Sequence, residues 1–244
     1  MAATAMRTGL RPETGMDEAR GGPGGDGSAS LLRLMTWLSP AFPVGAFGYS
    51  HGLETAIVEG RIRDADAAFG WIETLLTVGS GWNDLVLFAE AYRAALAGDG
   101  ASLAETADLA RALAGSAERR LETVDLGVAF AEASIPWDTA NTAGEALPYP
   151  VAVAGIAARH MVSLEAALVA YAHAFAANLL AASQRLIPLG QRDGVRVLHR
   201  LEPVVLAVAA RAALSSLGDL GSAAILSDIC ALRHETTSPR LFRT

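Results

Sequence analysis

The stretch from Ser39 to Glu54, SPAFPVGAFGYSHGLE, constrains the fold of this chain more than any other feature. It cannot form one helix, because Pro40 and Pro43 lack the amide hydrogen that a helix interior needs and bias the residue before each of them out of the α region. Its aromatic and aliphatic side chains are nevertheless too apolar for a connection that meets only water. A segment of this kind packs either on its own core or on another protein, and composition leaves both open. We call residues 39–54 the kinked loop.

The rest of the sequence predicts helices. Hydrophobic residues make up 52% of the 244 residues, and almost no stretch alternates apolar and polar residues as a half-buried strand does. We therefore expect an all-α fold, a single compact bundle of about ten helices with irregular Pro/Gly-rich connections and no β-sheet. The expected limits are a disordered N-terminal extension over residues 1–27, an all-helical domain over 28–233 and a C-terminal tail over 234–244.

Capping residues predict where several helices begin. Ser28 or Ser30 can cap the first helix, and Asp64 can cap a later one. A short helix is expected from Tyr49 or Ser50 to Glu59. The spacing of Thr142 and Glu145 fits a capping box inside a second irregular stretch, residues 136–150.

Two further segments in the second half carry specific predictions. Pro203 is expected in the first turn of the second of two successive helices, over residues 193–202 and 203–217. Ala166–Ala182 has no charged residue, but it is short for a membrane span and is interrupted by His173 and Asn178. We expect this stretch to be a buried core helix rather than a membrane segment.

Charge composition excludes several classes of function. All 19 basic residues are arginine, so the chain has neither the P-loop lysine of a Walker-type nucleotidase nor a lysine for Schiff-base chemistry. The net charge is −7 and no basic stripe is present, which argues against nucleic-acid binding. The single cysteine, Cys230, fits a reducing compartment, and no secretory signal is visible, so a cytoplasmic location is expected.

No catalytic or metal-binding constellation stands out in the sequence. Cys230 and His234 are four residues apart, and His51 and Glu54 are three apart, but two residues do not complete a metal site. Acid pairs such as Glu118 and Glu122 are interpreted as belonging to helix caps or exposed faces. We therefore expect no catalytic residue, no metal and no cofactor, and a chain that is not an enzyme.

Several irregular segments combine arginine with apolar residues, as interface hot spots do. Arg185 precedes Leu186 and Ile187, and Arg240 precedes Leu241 and Phe242. Such arginines also occur as helix C-terminal charges or in frayed termini. Contact with a partner protein and a purely structural role therefore both stay open for these segments.

Four blocks of the sequence resemble the urease accessory protein UreF family. They are the kinked loop, Asp84-Leu85 leading into residues 89–94, YPVAVAG at 149–155 with RLIPLGQRDGVRVL at 185–198, and HETTSPRLFRT at 234–244. The resemblance implies an all-α homodimer without catalysis of its own. It also implies binding to an accessory protein of the UreD type (also called UreH) and to the GTPase UreG, in an assembly that supports nickel delivery to apo-urease.

The resemblance further implies where partners would bind. The implied contact residues come from the kinked loop, the turn after residue 185 and the tail: Pro43, Gly45, Phe47, Tyr49, Ser50, Glu54, Arg185, Pro188, Gly190, Gln191, His234, Glu235, Arg240, Leu241 and Phe242. The chain departs from the family pattern at His51, where glutamine is usual, and at Gly48, where serine is common. Ser238 and Pro239 also replace a tyrosine and a serine of the family's tail.

Three functional hypotheses follow. The leading one is a non-enzymatic adaptor for urease maturation, whose tail becomes ordered when it docks on a partner. The alternative is a GTPase-activating protein that inserts an arginine finger, with Arg185, Arg192, Arg240 and Arg243 as the candidates. The third is a nickel carrier that uses His51, Cys230 and His234.

Overall fold

A computed structural model describes residue 1, residues 24–137 and residues 146–243. Over these residues the chain forms ten α-helices and no strand, which confirms the predicted all-α class. The helices are α1 (Gly24–Trp37), α2 (Leu53–Val58), α3 (Ala65–Val78), α4 (Ser80–Ala97), α5 (Gly100–Ala112), α6 (Ala117–Ala133), α7 (Tyr149–Arg159), α8 (Leu164–Leu186), α9 (Gln191–Ala213) and α10 (Ile225–His234).

Some helix starts follow the predicted caps and others do not. The Asp64 carboxylate accepts the amide of Ala67 at 2.9 Å at the start of α3, as expected. The predicted disordered extension falls mostly outside the described residues, but its last residues, from Gly24, belong to α1. The proposed capping box of Thr142 and Glu145 also lies outside the described residues.

The predicted break at Pro203 is wrong, because α9 runs without interruption from Gln191 to Ala213. A proline inside a helix costs about 3 kcal/mol. The helix around Pro203 buries four aliphatic side chains on one face, each worth roughly 1.5–3 kcal/mol: Val197, Leu201, Val205 and Val208. The continuous apolar face therefore outweighs the lost hydrogen bond.

The core is centred on α4 and α8. α4 packs against α3, α5 and α7, while α8 packs most extensively against α9 and also against α4, α2 and α3. By length and composition α8 could cross a membrane, but half of its most apolar window is buried inside the protein. It is thus a core helix, as its polar interruptions predict.

A second, smaller apolar cluster ties the end of the chain to its beginning. Phe242 of the tail is 3% exposed and packs there with side chains from α2, α3, α8 and α10. The cluster consists of Leu53, Ala56, Ile62, Ala68, Ala182, Ile187, Cys230 and Phe242. It places the kinked loop, the end of α8 and the tail next to one another.

Candidate partner-binding surface

Left-handed backbone at three residues gives the kinked loop its path. Gly45 has φ 80°, His51 has φ 53° and Gly52 has φ 75°. At Gly52 an added Cβ would lie 2.8 Å from backbone atoms of Ser227 and Ala231 in α10, so only glycine fits. These bends delay the start of α2 to Leu53, later than the predicted Tyr49 or Ser50, and set α2 against α10.

Glu54, in the first turn of α2, joins the kinked loop to the tail. Its Oε1 accepts the backbone amide of Leu241 at 2.7 Å, and its Oε2 accepts the amide of Phe242 at 2.9 Å. His234 Nε2 lies 3.0 Å from the same Oε2. Hydrogen bonds to an ionised carboxylate are the stronger kind in proteins, so Glu54 fixes the path of the tail.

The pKa of Glu54 reflects these contacts. Burial alone raises the pKa of this carboxyl, but the hydrogen bond from His234 and those from the amides of Leu241 and Phe242 outweigh burial. The net result is a pKa below the ordinary value for glutamate. The ionised form is therefore the one that the folded tail stabilises.

Further polar contacts hold the tail on α6. His234, which is fully buried, places Nδ1 2.8 Å from Glu118 Oε2, and Arg240 also pairs with the Glu118 carboxylate. Glu235 Oε1 accepts the amide of Ala117 at 2.8 Å, at the start of α6. The tail in this structure therefore packs against α2 and α6 of the same chain.

Arg185 at the end of α8 contacts both the kinked loop and the tail. Its Nη1 donates to the carbonyl oxygen of Phe47 at 3.0 Å. The guanidinium carbon lies 6.0 Å from the ring centroid of Phe47 and 5.8 Å from that of Phe242. Phe47 is 63% exposed beside this arginine, and Leu241, which precedes Phe242 in the tail, is 65% exposed.

The fifteen residues implied as partner contacts fall into two groups. Nine are exposed and can meet a partner directly: Pro43, Phe47, Arg185, Pro188, Gly190, Gln191, Glu235, Arg240 and Leu241. Gly45 is half-buried, and five are buried: Tyr49, Ser50, Glu54, His234 and Phe242. In this conformation the buried five hold the loop and tail in place instead of presenting a contact surface. We call the exposed surface around Phe47, Arg185 and Leu241 the loop–tail surface.

The sequence predicts a helix cap or an exposed face for Glu118 and Glu122 on α6, and this prediction is wrong for Glu122. This residue is 3% exposed, its Oε1 lies 3.0 Å from His51 Nε2, and it pairs with Arg119. His51 Nδ1 also lies 3.1 Å from Ser80 Oγ. His51 is 71 positions from Glu122 in the sequence, so helical spacing alone could not reveal this contact.

The pKa values of His51, Glu122 and the neighbouring Asp84 differ from their ordinary values. Burial, and then the charge of Arg119, lower the pKa of His51. Burial raises the pKa of Glu122, but Arg119 and His51 outweigh it and bring the pKa to about 2. Burial raises the pKa of the neighbouring Asp84 to about 6.

These groups form the floor of a cleft between the kinked loop and α8. The cleft has a volume of about 250 Å³. Its walls are largely apolar and include Val44, Leu126 and Ala177, while the polar floor consists of His51, Asp84, Arg119, Glu122, Tyr149 and Tyr171.

The three residues considered as nickel ligands do not form a common ligand set. His51 faces Glu122 and Arg119, His234 lies between Glu54 and Glu118, and Cys230 is buried in the small apolar cluster. Among the described residues no group of three or more histidine, cysteine or acidic side chains is arranged to hold a metal ion.

Comparison with known proteins confirms the resemblance to the UreF family. The model of the UreF family matches residues 62–202. A urease accessory protein UreF of Agrobacterium fabrum is 52% identical over 89% of this chain and 98% of its own length. A protein of the same name from Rhodopseudomonas palustris is 51% identical over 89% of this chain and 94% of its own length. A urease accessory protein UreF 1 of Brucella canis is 49% identical over 90% of this chain and 96% of its own length. The chain belongs to the UreF family of urease accessory proteins.

Proposed function

We propose that this chain is a non-enzymatic adaptor in urease maturation, which binds a UreD/UreH-like protein and a UreG-like GTPase and so supports nickel insertion into apo-urease. The loop–tail surface is the proposed site for the UreD/UreH-like partner. A homodimer of the chain is the expected scaffold for this assembly, and a cytoplasmic location is expected for all its components.

One observation carries this proposal. The kinked loop, the end of α8 and the tail are far apart in the sequence, yet Arg185 contacts both Phe47 and Phe242. Phe47 and Leu241 of these segments stay exposed. Exposed apolar side chains next to an arginine that is already held in place match the composition of interface hot spots. Because Arg185 is fixed by the carbonyl of Phe47, less side-chain entropy is lost when a partner covers it.

The packed tail changes the expected binding mechanism. The adaptor hypothesis from the sequence has the tail ordering only on docking, but in this structure Glu54 already binds the amides of Leu241 and Phe242. The partner is therefore proposed to bind a preformed surface, in which Leu241 and Phe47 are its first apolar contacts. Preorganisation of this kind favours affinity because little backbone entropy remains to be lost.

Co-elution of the purified full chain with its UreD/UreH-like partner tests the proposal. We expect a stable complex, and hydrogen exchange in residues 43–50 and 239–243 that becomes slower on adding the partner while exchange in α5 stays the same. Absence of a complex, together with no effect of the chain on urease activation in a reconstituted assay, would contradict the adaptor role.

The arginine-finger alternative is retained for a specific reason. Arg185 and Arg240 are engaged by Phe47 and Glu118, but Arg192, at the exposed start of α9, makes no hydrogen bond or ion pair to any other described residue. It is thus the candidate finger that could reach into a partner without breaking an existing contact. Arg243 is exposed too, but it contacts Tyr49.

A further inference from the structure

We propose that the cleft between the kinked loop and α8 binds a small organic cation, an amine or amidine carried on an apolar body, whose positive head pairs with Asp84. The cleft adjoins the loop–tail surface, because Phe47 and Arg185 line it as well, but Asp84 lies outside that surface. Cation binding does not rest on the proposed adaptor role, because the binding can be measured on the isolated chain.

The size and walls of the cleft define the apolar body. Its volume is about 250 Å³, and its walls include Val44, Leu126 and Ala177. An apolar cavity of roughly 150 Å³ is large enough to bind benzene. This cleft therefore has room for one aromatic ring and a short chain that ends in a polar group.

The charges at the floor define the head group. Glu122 pairs with Arg119, and the lowered pKa of His51 leaves that imidazole neutral at neutral pH. Burial raises the pKa values of Tyr149 and Tyr171, so both phenols are neutral as well. The remaining carboxylate, Asp84, brings the cluster to one net negative charge.

Asp84 has unused capacity to bind a cation. Among the described residues its carboxylate accepts one hydrogen bond, from Tyr171 Oη at 3.3 Å. Asp84 is half-buried and lines both the cleft and a second cavity of about 100 Å³. Arg119 acts electrostatically on both Asp84 and Glu122, so one guanidinium serves two carboxylates. The uncompensated second negative charge is unfavourable in this partly desolvated place, and a bound ammonium or amidinium would compensate it.

A positively charged residue that lines the cleft, Arg185, disfavours a ligand with more than one positive charge. Arg185 and His173 also line the cleft, and Arg185 is held there by the carbonyl of Phe47. A second cationic group on the ligand would lie beside this guanidinium. A monoamine with an apolar tail is thus favoured over a polyamine.

The binding has a defined pH dependence. The pKa of Asp84 is about 6, because burial disfavours its charged form. Below that pH the carboxyl is protonated and loses its attraction for a cation, so amine affinity falls as pH falls through 6. Glu122, with a pKa of about 2, stays ionised across this range and does not contribute to the change.

The test compares 2-phenylethylamine with 2-phenylethanol, its neutral near-isostere, by calorimetry or ligand-observed NMR on the full chain at pH 8. We expect the amine to bind at least about tenfold tighter than the alcohol, a difference of about 1.4 kcal/mol in binding free energy. Asp84→Asn should remove this difference. The exposed acid Asp125 on α6 supplies the control, and Asp125→Asn should leave the difference intact.

A second variant keeps the proposal falsifiable if Asp84→Asn does not fold. Ala177→Phe enlarges a side chain that lines the cleft and leaves Asp84 in place. It should weaken the amine and the alcohol together while circular dichroism shows a folded protein. Equal affinities of the amine and the alcohol for the unmodified chain, or undiminished amine binding to folded Ala177→Phe, would overturn the proposal.

Discussion

The carboxylate of Glu54 accepts the backbone amide of Phe242 at 2.9 Å, although the two residues are 188 positions apart in the sequence. The adjacent amide of Leu241 binds the other oxygen of the same carboxylate. Consecutive side chains of the tail then face opposite ways, with Phe242 buried and Leu241 exposed. One acidic side chain therefore both anchors the tail and decides which apolar residue it presents to solvent.

Replacing Glu54 with glutamine should loosen the tail. The substitution removes the charge and one of the two acceptor oxygens, so one tail amide loses its partner, at a cost of about 1–3 kcal/mol. We expect faster hydrogen exchange at the amides of Leu241 and Phe242 and a lower midpoint of urea unfolding. Glu105→Gln, at an exposed position on α5, is the matched control and should change neither. Unaltered exchange at both tail amides would show that Glu54 does not anchor the tail.

The two apolar residues of the tail should respond differently to alanine substitution. Phe242→Ala removes a ring from the small apolar cluster and should lower the free energy of unfolding by about 3 kcal/mol. Leu241→Ala removes an exposed side chain and should change it by less than about 0.5 kcal/mol. Chemical denaturation of both variants checks this, and equal effects would mean that the tail is not packed as described.

Acid should release the tail before it unfolds the core. The pKa of Glu54 is below its ordinary value in the folded chain, because the hydrogen bonds from His234 and the tail amides outweigh the effect of burial. Its contribution to stability is therefore fully present above the ordinary glutamate pKa of about 4.3 and is lost as pH falls through the lower folded-state value. Protection of the Leu241 and Phe242 amides, corrected for intrinsic exchange, should decrease in that range. Glu54→Gln should lack this decrease.

Helical periodicity and capping residues predicted most of the fold. The all-α class, the cap at Asp64 and the buried nature of α8 all follow from local patterns. The break expected at Pro203 does not occur, because burial of the apolar face around it outweighs the local preference of proline. The site was harder to predict, since its residues meet only through long-range contacts. The sequence identifies Glu54 and the tail as notable, but only the fold shows that one binds the other.

GTP hydrolysis by the UreG-like partner separates the adaptor from the arginine finger. If the chain is an adaptor, Arg192→Ala should leave single-turnover hydrolysis in the saturated complex within about twofold of the unmodified value. A true finger would be worth roughly 10³–10⁵ in rate. Arg185→Ala and Arg240→Ala should weaken complex formation instead, because these arginines hold the loop and tail in place. A rate loss of three or more orders of magnitude with binding retained would favour the finger.

The most direct test of the loop–tail surface is the affinity of the full chain for its UreD/UreH-like partner. The variant Phe47→Ala/Leu241→Ala removes two exposed side chains from this surface. The control, Met161→Ala/Leu214→Ala, removes two apolar side chains elsewhere that are at least as exposed. We predict that the first pair raises the dissociation constant at least tenfold and that the control pair changes it less than twofold. Equal dissociation constants for the two pairs would contradict the assignment of this surface to the partner.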